Sequence, residues 1–164
     1  MTAIALTVLR NEILARHNSY RATHHSPNMV MQSNIDMTAQ QWAEYLAANA
    51  LFQHSTATQR HNAGENIYVY YTTATTVSEV QLATEAVKSW YNEVKDYNYA
   101  IPQFASNTGH FTQVVWKASV ELGSGAAAGK KVINGITYNA FYVVCQYAPA
   151  GNLVGAFATN VLKP

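Results

Sequence analysis

A chain of 164 residues with 49% hydrophobic residues, 12% charged residues and a formal net charge of +1 is long enough to bury a core in a single domain without crosslinks. The near-neutral balance offers no basic stripe, which argues against a nucleic-acid partner, and a single cysteine, Cys145, excludes an intrachain disulfide. Eleven tyrosines and three tryptophans suit a surface that is apolar yet wettable.

The opening run Met1 to Leu9 is apolar, has no charged leading segment and is shorter than a signal core with its cleavage site, so it reads as mature sequence. No later segment has the continuous apolar length of a membrane-spanning helix, and no Asn-x-Ser/Thr acceptor occurs. Leu6, Leu9, Ile13 and Leu14 fall at helical spacing and lead into Ala15 to Arg21, predicting a first helix. Ser26-Pro27-Asn28 is a turn signal that closes the segment after this helix. A second helix is expected from Asp36 or Thr38, where Thr38 with Gln41 reads as a capping box, through Trp42, Tyr45, Leu46 and Asn49. His54 falls just past its end, a place where a cation favours the helix dipole.

Gly64-Glu65-Asn66-Ile67-Tyr68-Val69-Tyr70-Tyr71 has strand or loop character, and Glu65 at its head needs a partner if it is buried. After a threonine-rich connector, Thr76-Val77-Ser78-Glu79 reads as a second capping box. The helix it opens carries Val80, Ala83, Val87, Trp90 and Val94 as a buried stripe, with Glu93 at the margin. A loop around Pro102 leads to Gly109-His110-Phe111-Thr112-Gln113-Val114-Val115-Trp116-Lys117, where alternation followed by a bulky run predicts a central strand with Trp116 in the core. His110 opens that strand; a ring so placed can titrate or ligate a metal, but taken alone the stretch favours a satisfied, half-buried core histidine. Glu121 to Ala128 is a further strand with small residues where backbones approach, Asn134-Gly135 a hairpin turn, and Phe141 to Tyr147 a strongly β segment that ends in the turn-rich Ala148 to Leu153. No phosphate-binding glycine loop, CxxC knuckle or nucleophile elbow is found.

Gly109 to Trp116 together with Tyr142 to Leu153 resembles the two signature motifs of the CAP superfamily, which groups cysteine-rich secretory proteins, antigen 5 and pathogenesis-related proteins. Ala15 to Arg21, Phe52-Gln53-His54-Ser55, Gly64-Glu65-Asn66-Ile67, Trp90-Tyr91-Asn92-Glu93 and Tyr97-Asn98-Tyr99 match in the same order. Ser106 to Lys117 is most similar to the fungal secreted members that bind sterols. The resemblance covers nearly the whole chain and implies one SCP-like domain over 1–164. Its implied fold class is α+β: a three-layer α-β-α sandwich with a small, mainly antiparallel central sheet and a central cleft. It also implies a divalent-metal site, zinc by preference, of His54, Glu65, Glu93 and His110 in that cleft. The cysteines that fungal and plant relatives carry near Ala50 and at Ser124 are missing, which leaves Cys145 without a partner.

The expected function is non-enzymatic binding of a sterol or fatty acid, with Tyr68, Tyr70 and Tyr71 beside the threonine-rich connector as candidates for the wall of the site, where strand alternation puts only one of Tyr70 and Tyr71 on the inner face. The alternatives are a metal-dependent hydrolase or protease using the same histidine and glutamate cleft, and a module that docks on a membrane or receptor surface. The family suggests an extracellular protein with its leader removed. A cysteine-poor, intracellular and membrane-associated branch fits the pattern too.

Overall fold

The computed structural model describes residues 3–164; Met1 and Thr2, the start of the run read as mature sequence, lie outside the described residues. The elements are α1 (Leu6–Thr23), β1 (Val30–Met31), α2 (Ser33–Asn49), β2 (Gly64–Thr72), α3 (Glu79–Tyr91), a 3-10 turn (Asn92–Asp96), α4 (Gly109–Val115), β3 (Glu121–Ile133), β4 (Ile136–Ala148) and α5 (Phe157–Asn160). Four strands make one mixed sheet in the order β1-β3-β4-β2, with β1 parallel to β3 and the other pairs antiparallel. Among the described residues no helix is long and apolar enough to cross a membrane.

The long hairpin at the centre of the sheet is set by its turn. Asn134 and Gly135 both take positive φ, 50° and 79°, the two-residue geometry whose twist matches the strands it joins. Side-chain alternation then sorts the core into two layers. Leu122, Ala126, Phe141, Val143, Cys145 and Tyr147 face α1, α3 and α4, while Ala140, Tyr142, Val144 and Ile67 face Ala39, Trp42, Ala43 and Leu46 of α2. The small residues of β3 are where α2 lies directly on the sheet: a Cβ at Gly123 would collide with the backbone of Ile35 and Asp36, and one at Gly125 with that of Gln40. The result is the α-β-α sandwich expected from the sequence.

Four local expectations are corrected. Helix α2 begins at Ser33, and the Thr38 hydroxyl donates to Ile35 O and Gln146 Oε1 and caps nothing. The N-cap of α3 is Ser78, whose Oγ accepts from the Gln81 N–H, two residues after the Thr76 expected from the motif. Within α3 the buried residues are Leu82, Ala83, Ala86, Val87 and Trp90; Val80 is exposed, and Val94 lies past the helix in the 3-10 turn, half-buried.

The fourth is the stretch expected to be a central strand, which is the short helix α4. Every residue from Phe111 to Trp116 is buried, so no polar face marks a helical period, and strand and helix look alike in sequence. Tertiary contacts decide the matter. Glu93 accepts from the first free N–H groups, and the buried guanidinium of Arg21 donates through Nη1 to Val114 O (3.0 Å) and Trp116 O (2.8 Å) at the other end. Burial lowers the Arg21 pKa to about 10, and the carbonyls around it supply the partners a buried cation requires. Trp116 is core, as expected, at the end of this helix and not in a strand.

Candidate functional site

His54 sits in the loop that follows α2. Ala50, at φ 52°, ends the helix in the left-handed conformation. The loop is tied down where the Trp42 indole donates to Gln53 O (3.0 Å) and the Arg60 guanidinium donates to Ser55 O and Ala63 O. His54 Nδ1 then lies 2.8 Å from Glu65 Oε1. Glu65 stands opposite Gln146 of β4 and also accepts from Ser55 N–H (2.9 Å), Ser55 Oγ (2.6 Å) and Gln146 Nε2 (2.9 Å). Burial alone would raise the Glu65 pKa; the bonds from His54, Ser55 and Gln146 outweigh it and hold the carboxyl below its ordinary value.

The second pair is assembled at α4. His110 occupies its first turn, and its Nδ1 is 3.0 Å from Glu93 Oε2, while Glu93 Oε1 accepts from the N–H groups of His110 (2.9 Å) and Phe111 (3.0 Å). Glu93 therefore caps the helix as well as orienting the ring, a carboxylate at the positive end of a helix. It comes from the 3-10 turn after α3, not from the margin of the α3 stripe.

The structure brings three of the four sequence-picked residues to one cavity of about 140 Å³, whose walls include His54, Glu65, Asn66, Phe104, His110 and Asn152. Glu93 acts on it through His110. Among the described residues no three His, Cys, Asp or Glu side chains form a ready metal-binding group. What the pairs provide is two oriented nitrogens: with each Nδ1 at a carboxylate, each Nε2 is left with no hydrogen-bond partner among the described residues. A neutral imidazole nitrogen on a ring steered by an outer carboxylate is a donor of the kind zinc takes.

Sequence reasoning missed Ser55, Asn66 and Gln146. Asn66 Nδ2 donates to His110 O (3.1 Å) and to the Tyr147 hydroxyl (3.2 Å), which is 2.8 Å from His17 Nε2. The available signal was Gln146 itself, a lone amide in a run of apolar residues, because a buried amide requires a partner.

A second and larger cavity, about 460 Å³, lies between β2 and α3. Tyr68, Tyr70, Thr72, Val77, Leu82 and Glu85 are among its walls, and it shares no lining residue with the histidine cavity. Alternation along β2 puts Tyr68 and Tyr70 here and turns Tyr71 to the other face, against the α2 layer. Of the three candidate tyrosines, Tyr68 and Tyr70 line this cavity and Tyr71 does not. Burial, with the nearby Glu85 charge adding to it, raises the Tyr68 phenol pKa.

A family model described as "CAP: Cysteine-rich secretory protein family" matches residues 14–147. The chain belongs to the CAP family. It is 38% identical over 156 residues to human "Golgi-associated plant pathogenesis-related protein 1", covering 94% of this chain and 92% of that protein. It is 35% identical over 147 residues to "Protein PRY2" of Saccharomyces cerevisiae, covering 89% of this chain and 39% of the longer yeast protein. A solved structure, NaASP2 with Zn2+, superposes with a TM-score of 0.68 at 26% identity, covering 96% of this chain and 87% of that one.

Proposed function

We propose that this CAP protein binds a sterol or fatty acid without turning it over, in the cavity between β2 and α3, and holds a divalent ion, zinc by preference, at His54 and His110. The observation that carries the reading is the cavity itself. It falls on the tyrosine-rich strand and threonine-rich connector singled out from sequence, and its roughly 460 Å³ lies in the range of small-molecule sites. Tyr68, Tyr70, Val77 and Leu82 supply apolar surface, and Thr72, Thr76, Ser78 and Gln81 a rim that can bond one hydroxyl. The Glu85 carboxylate in the same wall repels a fatty-acid carboxylate, which favours a sterol. For the ion, the oriented Nε2 atoms of His54 and His110 are the support, together with the Zn2+ of the NaASP2 structure. A hydrolase has less support, because the N–H groups of His110 and Phe111, the nearest candidates for an oxyanion hole, are already bonded to Glu93.

Binding of a labelled sterol to purified protein tests this. Tyr70→Asp should weaken it by about tenfold or more, whereas His54→Ala with His110→Ala should abolish zinc binding in calorimetry and leave sterol affinity within about threefold. Loss of sterol binding in the histidine variant would overturn the two-site reading, and zinc-dependent hydrolysis lost in that variant would favour the enzyme. We place the protein outside the cell, with the intracellular, membrane-associated alternative supported by the name of its human relative; fractionation of cells and medium separates the two.

A further inference from the structure

A third cavity, of about 400 Å³, opens on the α2 side of the sheet between that helix and the loop after His54. Its platform is a pair of rings: Trp42 and Tyr45 stack with centroids 4.9 Å apart and 17° between planes. The Trp42 N–H is fixed to Gln53 O, and Tyr45 is 46% exposed. The polar groups of the back wall bond one another. The Thr38 hydroxyl donates to Gln146 Oε1 (2.7 Å), and Gln146 and Ser55 both donate to Glu65. The front is different: among the described residues, the side chains of Gln41, Tyr45, Thr58 and His61 make no hydrogen bond and the Gln59 amide nitrogen is free, although all of them line the space. Among the described residues no Lys, Arg, Asp or Glu side chain contributes to the wall, and His61 is its one histidine.

This chemistry selects its ligand. An apolar molecule would cover amides and hydroxyls without bonding them, at a cost for each group. A phosphate or carboxylate ligand would find no guanidinium or ammonium to pair with. A pyranose ring presents an apolar C–H face to an aromatic platform and a rim of hydroxyls that both donate and accept, which matches an aromatic pair bordered by carboxamides and hydroxyls. We propose that this cavity is a subsite for a neutral oligosaccharide, with Tyr45 on Trp42 as the stacking surface and Gln41, Thr58 and Gln59 bonding the sugar hydroxyls. The subsite is independent of the sterol and metal reading.

The experiment is a set of neutral hexasaccharides (β-glucan, mannan, xylan and chitin fragments) with an acidic oligogalacturonate as control, each titrated into the intact protein. Saturation-transfer NMR and tryptophan fluorescence give the readout. At least one neutral sugar should saturate with a Kd of about 1 mM or tighter. Tyr45→Ala should weaken it at least about tenfold and Tyr45→Phe by less than about threefold, with circular dichroism unchanged because Tyr45 is half exposed. Gln41→Ala, which leaves the platform intact, should weaken the same sugar by about threefold to tenfold. The proposal is overturned if no neutral sugar binds at about 10 mM, if the acidic control binds best, or if Tyr45→Ala and Gln41→Ala both leave affinity unchanged.

Discussion

The pairs His54–Glu65 and His110–Glu93 use the same two residue types at nearly the same distance, 2.8 and 3.0 Å, on unlike supports. The Glu65 side chain is 1% exposed and receives bonds from a loop and from the neighbouring strand, so the acid is fixed and its histidine, 55% exposed, docks onto it. Glu93 is 21% exposed and joins a 3-10 turn to the start of α4. There the acid caps the helix that carries the ring. One pair therefore depends on a buried hydrogen-bond network and the other on a helix terminus, and loss of the acid should damage different things.

Glu65→Ala should produce the larger loss. It strands the Ser55 N–H, the Ser55 hydroxyl and the Gln146 amide in a buried place, which should cost roughly 3 to 5 kcal/mol in denaturant unfolding. A value near zero would mean that solvent reaches these donors and that the two pairs are alike after all.

Acid should separate the network from the rest of the core. His17, fully buried between Ile13 O and the Tyr147 hydroxyl, has its pKa lowered by burial from 6.5 to about 4. The folded state thus resists its protonation, and the stability present above pH 6.5 is lost as pH falls toward 4, by roughly 3 kcal/mol. Glu65, whose pKa is also lowered, contributes stability above the ordinary glutamate range and loses it only at lower pH. Stability measured against pH should therefore fall in two stages. His24, whose pKa burial also lowers, contributes to the first stage, so His17→Gln should shrink that stage without removing it and Glu65→Gln should flatten the second; a first stage unchanged by His17→Gln would assign it to His24 or another group.

Glu93→Ala should have the smallest effect, about 1 to 2 kcal/mol, the range for loss of a helix cap. Its local signature should be faster amide exchange at His110 and Phe111, with Ser55 unaffected. Equal protection at all three positions would show that Glu93 does not hold α4.

How far these features were legible depends on the length and polarity of each segment. The α1 and α3 helices and the β3–β4 hairpin carry long periods or a turn that only a few residues can make, and their positions agree with expectation to within a few residues. The Thr38 and Thr76 motifs misplaced the helix starts, because a capping pattern describes what a side chain can bond and the nearest free partner decides what it does bond. β1 and α5 have two and four residues, too few to show any period.

Apolar spacing and family motifs are properties of the chain read locally, and they were enough for the sandwich, for α1, α3 and the β3–β4 hairpin, and for singling out the two histidines and two glutamates that pair as His54–Glu65 and His110–Glu93. Long-range contacts settled the rest: that Gly109–Val115 is a helix, that Glu93 caps it, that of the two alternating tyrosines it is Tyr70 that lines the cavity and Tyr71 that meets the α2 layer, and that Ser55 and Gln146 complete the Glu65 network. Each of these depends on which buried group meets which partner across elements distant in sequence, and a hydrogen bond formed away from water is strong enough to override a weak local preference.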